Sequence, residues 1–415
     1  MQRTAEVERL TEQGCSVLCL DCPQNILFGI DYSAWTVGPK FMGVKLIPPG
    51  LHFIYCSPSA EEVGAMRSGF FLFMRPRDVA VLRWDPETEE LVRLANAEEE
   101  ARYADGVRGF DFDANLGPYP LELDSQWQEL TRHATAELVD KIEPISKTVR
   151  AKRAEYDERG LAERAVPAPD ACDELQEEDG GGCMETSSGM AVDGAPQQEE
   201  VDSGHAQQQL HAEAQLESNL GSGNLFFSAV PRCRKLKGLS PAETTLLHMD
   251  RSGQLDEMIG KEYDGKELGI IGELQLAYIA FLLGQNYDGF EQWKALLNFI
   301  CSCETAVASR PELFAELLRA FFAQLSQAPE DLFGEDLTRE NFLGSCALSL
   351  LELCDSEASP QKLRKRCGKL RELVQQKFGI STEDLAFLGE DAPQVVDLQG
   401  RDLIDLAGPG LGELD

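Results

Sequence analysis

The stretch from Asn25 to Cys56, NILFGIDYSAWTVGPKFMGVKLIPPGLHFIYC, leaves this chain little freedom. Ile26, Phe28 and Ile30 alternate, Trp35 and Val37 do so again, and after Pro48-Pro49-Gly50 come Leu51, Phe53 and Tyr55. Apolar residues at a period of two, interrupted by Pro and Gly, predict short strands joined by tight turns. Gly29, Gly38, Gly43 and Gly50 fall at the breaks, where glycine supplies a positive φ or lets backbones approach closely. A phosphate cradle would need GxGxxG or GxxxxGK followed by Ser or Thr, and neither pattern occurs in the 415 residues.

The surrounding sequence extends this β-rich unit over 1–150. A short helix ends near Gly14, and CSVLCL (15–20) is a strand. GFFLFMR, VAVLRW and ELVRL then predict a run of antiparallel strands with turns at Pro76 and Pro86. Phe71 and Phe73 face one side, Phe70, Leu72 and Met74 the other, so a helix and a second sheet layer should cover them. Trp127, Leu130, Ala134, Leu138 and Ile142 form one helical stripe that should dock back on the sheet. His133 lies off that stripe and reads as a lone surface histidine.

Residues 151–221 are different material. To Leu220 they hold 17 acidic and 4 basic side chains, net -13, with almost no aromatic or β-branched residues. Beyond Val166 this composition buries too little to offset chain ordering, so a largely disordered acidic linker is expected. It contains Cys172, Cys183 and three exposed phosphorylation candidates, Ser187, Ser188 and Ser203.

Residues 222–390 predict an all-α domain. GNLFFSAVPR reads as a strand or an anchoring extended piece, and Ser240-Pro241-Ala242-Glu243 has the form of a helix start, with His248 downstream in that helix. Five stripes follow, near 267–282, 286–300, 311–325, 342–353 and 363–378, and the nearly continuous apolar run at 342–353 should be the most buried helix. No repeat period recurs. The last helix carries the densest positive cluster, Lys362, Arg364, Lys365 and Arg366. The tail, 391–415, holds a strand-like APQVVDL with no hairpin mate. The fold class is therefore α+β: a mostly antiparallel β domain with a packed helix, an acidic linker and a helical domain.

Function classes narrow by charge and chemistry. Against 38 Lys and Arg stand 72 Asp and Glu, a formal net charge of -34, which disfavours direct contact with nucleic acid or an anionic membrane and favours a basic protein surface. No signal-type segment and no run of 18 apolar residues occurs, and twelve cysteines lie mostly in apolar runs, so a soluble intracellular protein with buried thiols is expected. Cys19-x2-Cys22 has half the ligands of a zinc site and no second half nearby. Five scattered histidines, no GxSxG and no HExxH nominate no catalytic, cofactor or metal residues. Asp111 and Asp113 are the one tight acid pair beside aromatic residues, and a hydrolase using them is the least favoured reading.

FGIDYSAWTVGPKFMGVKLIPPGLHFIYCS, with GFFLFMR, VLRW and LGPYP, resembles the N-terminal domain of the AAR-two splicing-factor family. LGIIGELQLAYIAFLLGQNYDGFEQWKALLNFIC, from Leu268 to Cys301, and APQVV at 392–396 are similar to that family's helical domain and closing segment. The resemblance implies an assembly chaperone of the U5 small nuclear ribonucleoprotein, in the cytoplasm and nucleus, monomeric on its own and not an enzyme. Such a protein would bind the large U5 scaffold protein at its RNase H-like and Jab/MPN-like domains and delay the U5 RNA helicase. Val395, Val396 and Leu398 would add a strand to the scaffold, with Lys365 and Arg366 as further contact candidates. A helical interaction adaptor without a splicing role is the alternative.

Overall fold

A computed structural model describes residues 2–59, 66–153, 224–231, 250–328, 342–354 and 360–378. The expectations for the linker, for Ser240–Glu243 with His248, and for the tail with Val395, Val396 and Leu398 lie outside the described residues, as do Ser187, Ser188 and Ser203. The described residues up to Lys152 and from Asn224 onward form one compact unit of α+β architecture.

After helix α1 (Gln2–Gln13), ten strands make two five-stranded sheets. The first has the order β8-β7-β1-β4-β9, from Glu90–Arg93, Val79–Asp85, Cys15–Leu20, Gly43–Ile47 and Gly117–Pro118. The second has the order β10-β6-β5-β2-β3, from Val149–Arg150, Ser68–Met74, Gly50–Ser57, Leu27–Ile30 and Ser33–Thr36. Pairing is mostly antiparallel, with β1 parallel to β7 and β4 parallel to β9. The expected run of consecutive strands is split here. At Arg75–Asp78 the chain leaves β6 in one sheet for β7 in the other, turning through hydrogen bonds between Arg75 and Asp78.

Alternation decides the layers. Phe28, Ile54, Phe70 and Leu72 of the second sheet meet Val17, Val44 and Leu82 of the first in a core between them. The far face of the first sheet, with Leu18 and Val81, is covered by helix α2 (Ala97–Arg108) through Val107. Asn96 caps α2 by accepting from the N–H groups of Glu98 and Glu99. The far face of the second sheet carries Leu51, Phe53, Tyr55 and Phe71 into a core shared with the helices. Two glycines permit this. A Cβ on Gly29 would lie 2.2 Å from the Tyr55 ring, and one on Gly43, at φ +130, would lie 1.9 Å from the Val17 carbonyl oxygen.

The stripe at 127–142 is two helices, α3 (Asp124–Leu130) and α4 (Ala136–Ile142), broken at 131–135 and capped anew by Thr135. It docks on the sheet as expected, where Trp127 Nε1 donates to the Leu51 carbonyl at 2.6 Å. The helical part comprises α5 (Ser252–Glu262), α6 (Gly269–Leu282), α7 (Tyr287–Cys301), the short α8 (Ala306–Ser309), α9 (Pro311–Gln327), α10 (Phe342–Cys354) and α11 (Gln361–Phe378). Among the described residues the most buried helix is α6, not the 342–353 run, because α6 lies between the sheet and the other helices with every residue from Ile270 to Ala280 buried.

Candidate partner-binding groove

The β-rich and helical parts are joined by polar contacts around the shared core. The Lys152 N–H donates to the Gln285 carbonyl, and Asn286, which caps α7, donates its Nδ2 to the Arg150 carbonyl at 2.9 Å. The returning segment 224–231 is neither strand nor helix and is anchored at Ser228. Glu273, fully buried on α6, accepts from the Ser228 N–H at 2.8 Å and hydroxyl at 2.7 Å, from Tyr263 at 3.0 Å and from Gln292 at 2.9 Å. A buried carboxylate needs such donors to be tolerated.

Further along the junction, Glu316 of α9 gathers one histidine and two arginines. His133 Nε2 lies 3.0 Å from its Oε2, Arg132 at 3.6 Å, and Arg366 of α11 at 3.2 Å from its Oε1. His133 is therefore half-buried and paired, not a lone surface histidine, since the partner arrives from a distant helix. The His133 N–H also donates to Gln275 Oε1 at 2.9 Å. Burial alone would raise the Glu316 carboxyl, but hydrogen bonds from His133 and Arg366 outweigh it and hold it below the usual carboxylate range. Beside this cluster Arg319 forks onto both carboxylate oxygens of Glu129.

Of these, Glu129, Arg319 and Arg366 line a groove of about 670 Å³ between α3, α9 and α11. Leu318 and Phe322 form its apolar floor, Glu129, Arg319, Arg366 and Lys369 its charged walls, and Ser125 and Gln126 its polar rim. Of the two predicted contact residues on α11, Arg366 is already held by Glu316 and the Ala315 carbonyl, whereas Lys365 is exposed. Lys362 pairs with Glu312 at 2.8 Å. Arg364, Lys365 and Lys369 are exposed and have no ion-pair partner among the described residues.

The acid pair is not brought together. Asp113 is tied to Lys45 Nζ at 2.5 Å, while Asp111 is exposed. A different trio, 21 and 88 residues apart in sequence, does converge: Asp31 Oδ2 accepts from His52 Nδ1 and from the Tyr119 hydroxyl, each at 2.7 Å. His52 Nε2 faces the Pro48 carbonyl at 2.7 Å, so both ring nitrogens meet acceptors and the ring is held as the imidazolium. Burial pulls its pKa down, but the Asp31 charge and hydrogen bond and the Pro48 carbonyl outweigh it and raise the pKa above 6.5. All three side chains are at most 4% exposed, which makes the trio a structural node closed to substrate. Among the described residues no group of three or more His, Cys, Asp or Glu is placed to hold a metal ion, and Cys19 and Cys22 are free thiols. No described helix is long and apolar enough to cross a membrane.

Comparison with known proteins agrees with both halves of this architecture. Residues 13–144 match the model of the AAR2 N-terminal domain, and residues 227–383 that of the AAR2 C-terminal repeat region. A mouse protein AAR2 homolog is 33% identical over 407 residues, covering 96% of this chain and 97% of its own length. The chain belongs to the AAR2 family. The human AAR2 homolog is 32% identical over 396 residues, covering 94% of this chain and 95% of its own. More distant is the A1 cistron-splicing factor AAR2 of Saccharomyces cerevisiae, 21% identical over 373 residues. The AAR2 N-terminal match ends two residues past Ile142, and the C-terminal match begins at Phe227, inside the segment that Glu273 anchors. The two AAR2 regions thus meet in one shared core.

Proposed function

We propose that this protein is a non-catalytic assembly chaperone of the U5 small nuclear ribonucleoprotein, acting in the cytoplasm and nucleus. In this reading it binds the large U5 scaffold protein at its RNase H-like and Jab/MPN-like domains in a precursor particle. While bound, it delays recruitment of the U5 RNA helicase. The observation that carries the reading is end-to-end similarity to AAR2 homologs, one of which is named a splicing factor. The groove between α3, α9 and α11 supports it, because an apolar floor of Leu318 and Phe322 flanked by charged side chains of both signs has the composition of a protein-docking surface.

Affinity capture of the full chain from nuclear and cytoplasmic extracts, followed by mass spectrometry, tests the reading. The expected result is recovery of the U5 scaffold protein without its helicase. Recovery of neither, or of both together, would sink it.

A further inference from the structure

Cys19 and Cys22 stand in unlike surroundings where the chain passes from one sheet to the other. Cys19, near the end of β1, is 1% exposed in the core between the sheets. Strand β1 ends at Leu20, and Asp21, at φ +58, then bends the chain. The bend lays Cys22, half-buried, back on the same core, where its thiol and that of Cys19 share a hydrogen bond. Cys56 also belongs to this core, but its sulfur is engaged by the Ser68 hydroxyl at 3.3 Å. Two residues between cysteines, across a bend, is the spacing of a dithiol that can close on itself.

The environments divide the labour. The thiolate is the nucleophile in disulfide exchange, so the more acidic and more accessible thiol reacts first. The hydrogen bond from Cys19 favours the Cys22 thiolate and outweighs burial, holding its pKa below that of an ordinary thiol. Cys19 is pushed up by the same hydrogen bond and by burial. Seven of the nine described cysteines are buried, leaving Cys22 and Cys301 within reach of solvent. Cys301 is pushed up by its hydrogen bond to Cys346 and by burial, so Cys22 is the thiol placed to react.

We propose that Cys19 and Cys22 form a redox-modification site, a dithiol that a small disulfide of the glutathione type converts to an intrachain disulfide. The Cys22 thiolate attacks one sulfur of the small disulfide, whose S–S bond breaks as a mixed disulfide forms on Cys22. The departing small thiolate takes up a proton. Cys19 then loses its proton and attacks the Cys22 sulfur, which closes the Cys19–Cys22 bond and releases the second small thiol. Two electrons pass from the protein dithiol to the small disulfide, and two small thiols leave. The new bond ties the bend at Asp21 to β1, at the point where the chain departs the first sheet for β2 in the second. The reaction does not depend on the partner proposed above.

The test uses the full-length reduced chain, kept folded at neutral pH with glutathione disulfide, then blocked with an alkylating agent and read by peptide mass spectrometry. The expected result is a Cys19–Cys22 disulfide that dithiothreitol reverses. Before oxidation, Cys22 should alkylate about tenfold faster than Cys15 or Cys19. Cys15→Ala should keep the disulfide. Cys19→Ala should stop at a mixed disulfide of glutathione with Cys22, because the resolving thiol is gone, and Cys22→Ala should leave Cys19 reduced. A wild-type chain in which Cys22 stays reduced, stops at the mixed disulfide, or bridges to Cys15 or Cys56 instead would overturn the proposal. That readout is made on the wild type, so it stands whether or not each variant folds.

Discussion

His133, in the turn between α3 and α4, and Glu316, on α9, meet at 3.0 Å across 183 positions of sequence. Glu316 is only 6% exposed and also pairs with Arg366, so its removal takes the carboxylate from Arg366 and the hydrogen-bond partner from His133. Glu316→Ala should cost about 2 kcal/mol in urea denaturation at neutral pH. The wild-type contribution should have a definite pH course. Because the folded carboxyl titrates below its unfolded value, stability is fully present above about pH 4.5 and is lost as pH falls through the lower folded pKa. A wild-type to variant difference that stays constant between pH 7 and pH 3 would contradict this.

The Asp31–His52 pair predicts the opposite slope. Here the folded pKa lies above 6.5, so its stabilisation is fully present below pH 6.5 and is lost as pH rises through the folded value. Asp31 sits at φ +53, which asparagine tolerates, so Asp31→Asn tests charge with little backbone strain. The variant should be less stable by about 2 kcal/mol at pH 6. The gap should narrow on raising the pH towards 9.

Ser228 and Glu273 make a third test. Ser228→Ala removes one donor from a carboxylate with no access to water and should cost about 1 kcal/mol. Hydrogen exchange should quicken at Phe226, whose N–H donates to Ile142, and at Ser228. Equal protection in both proteins would mean that the Ser228 hydroxyl contributes nothing to holding the segment.

On α11 the structure separates two residues that sequence treats alike. Lys365→Glu should leave the denaturation midpoint unchanged while weakening partner binding and flattening its salt dependence. Arg366→Glu sets two carboxylates together and should cost about 2 kcal/mol of stability on its own. Lys365→Glu binding like wild type at low and high salt would remove the exposed face of α11 from the interface.

What could be read from sequence was whatever has a local period. Leu51, Phe53 and Tyr55 announce a strand, and 15–20 is a strand to the residue. Their alternation does not say what lies opposite, and the shared core with α6 comes from residues over two hundred positions away. The break at 131–135 was hidden because one stripe runs through both helices. The groove was legible only in part: Arg366 stood out by charge density, but Glu129, Arg319 and Glu316 acquire their roles from the pairing of distant helices. The acid pair at 111 and 113 failed for the same reason, as Lys45 claims one member.

Lys152 Nζ and Asn224 Oδ1 are 3.5 Å apart, so the long excursion between them begins and ends at one point on the fold. Closing such a loop costs little more when it is lengthened, which leaves its length and composition free to drift. The arrangement has a cost during synthesis. Leu51, Phe53, Tyr55 and Trp127 leave the ribosome long before α6 and α9 exist to cover them. At translation rates of roughly 5–20 residues per second, that apolar face waits on the order of 10–50 s for its cover. Until then the nascent chain carries an exposed apolar face that only its own later helices can cover.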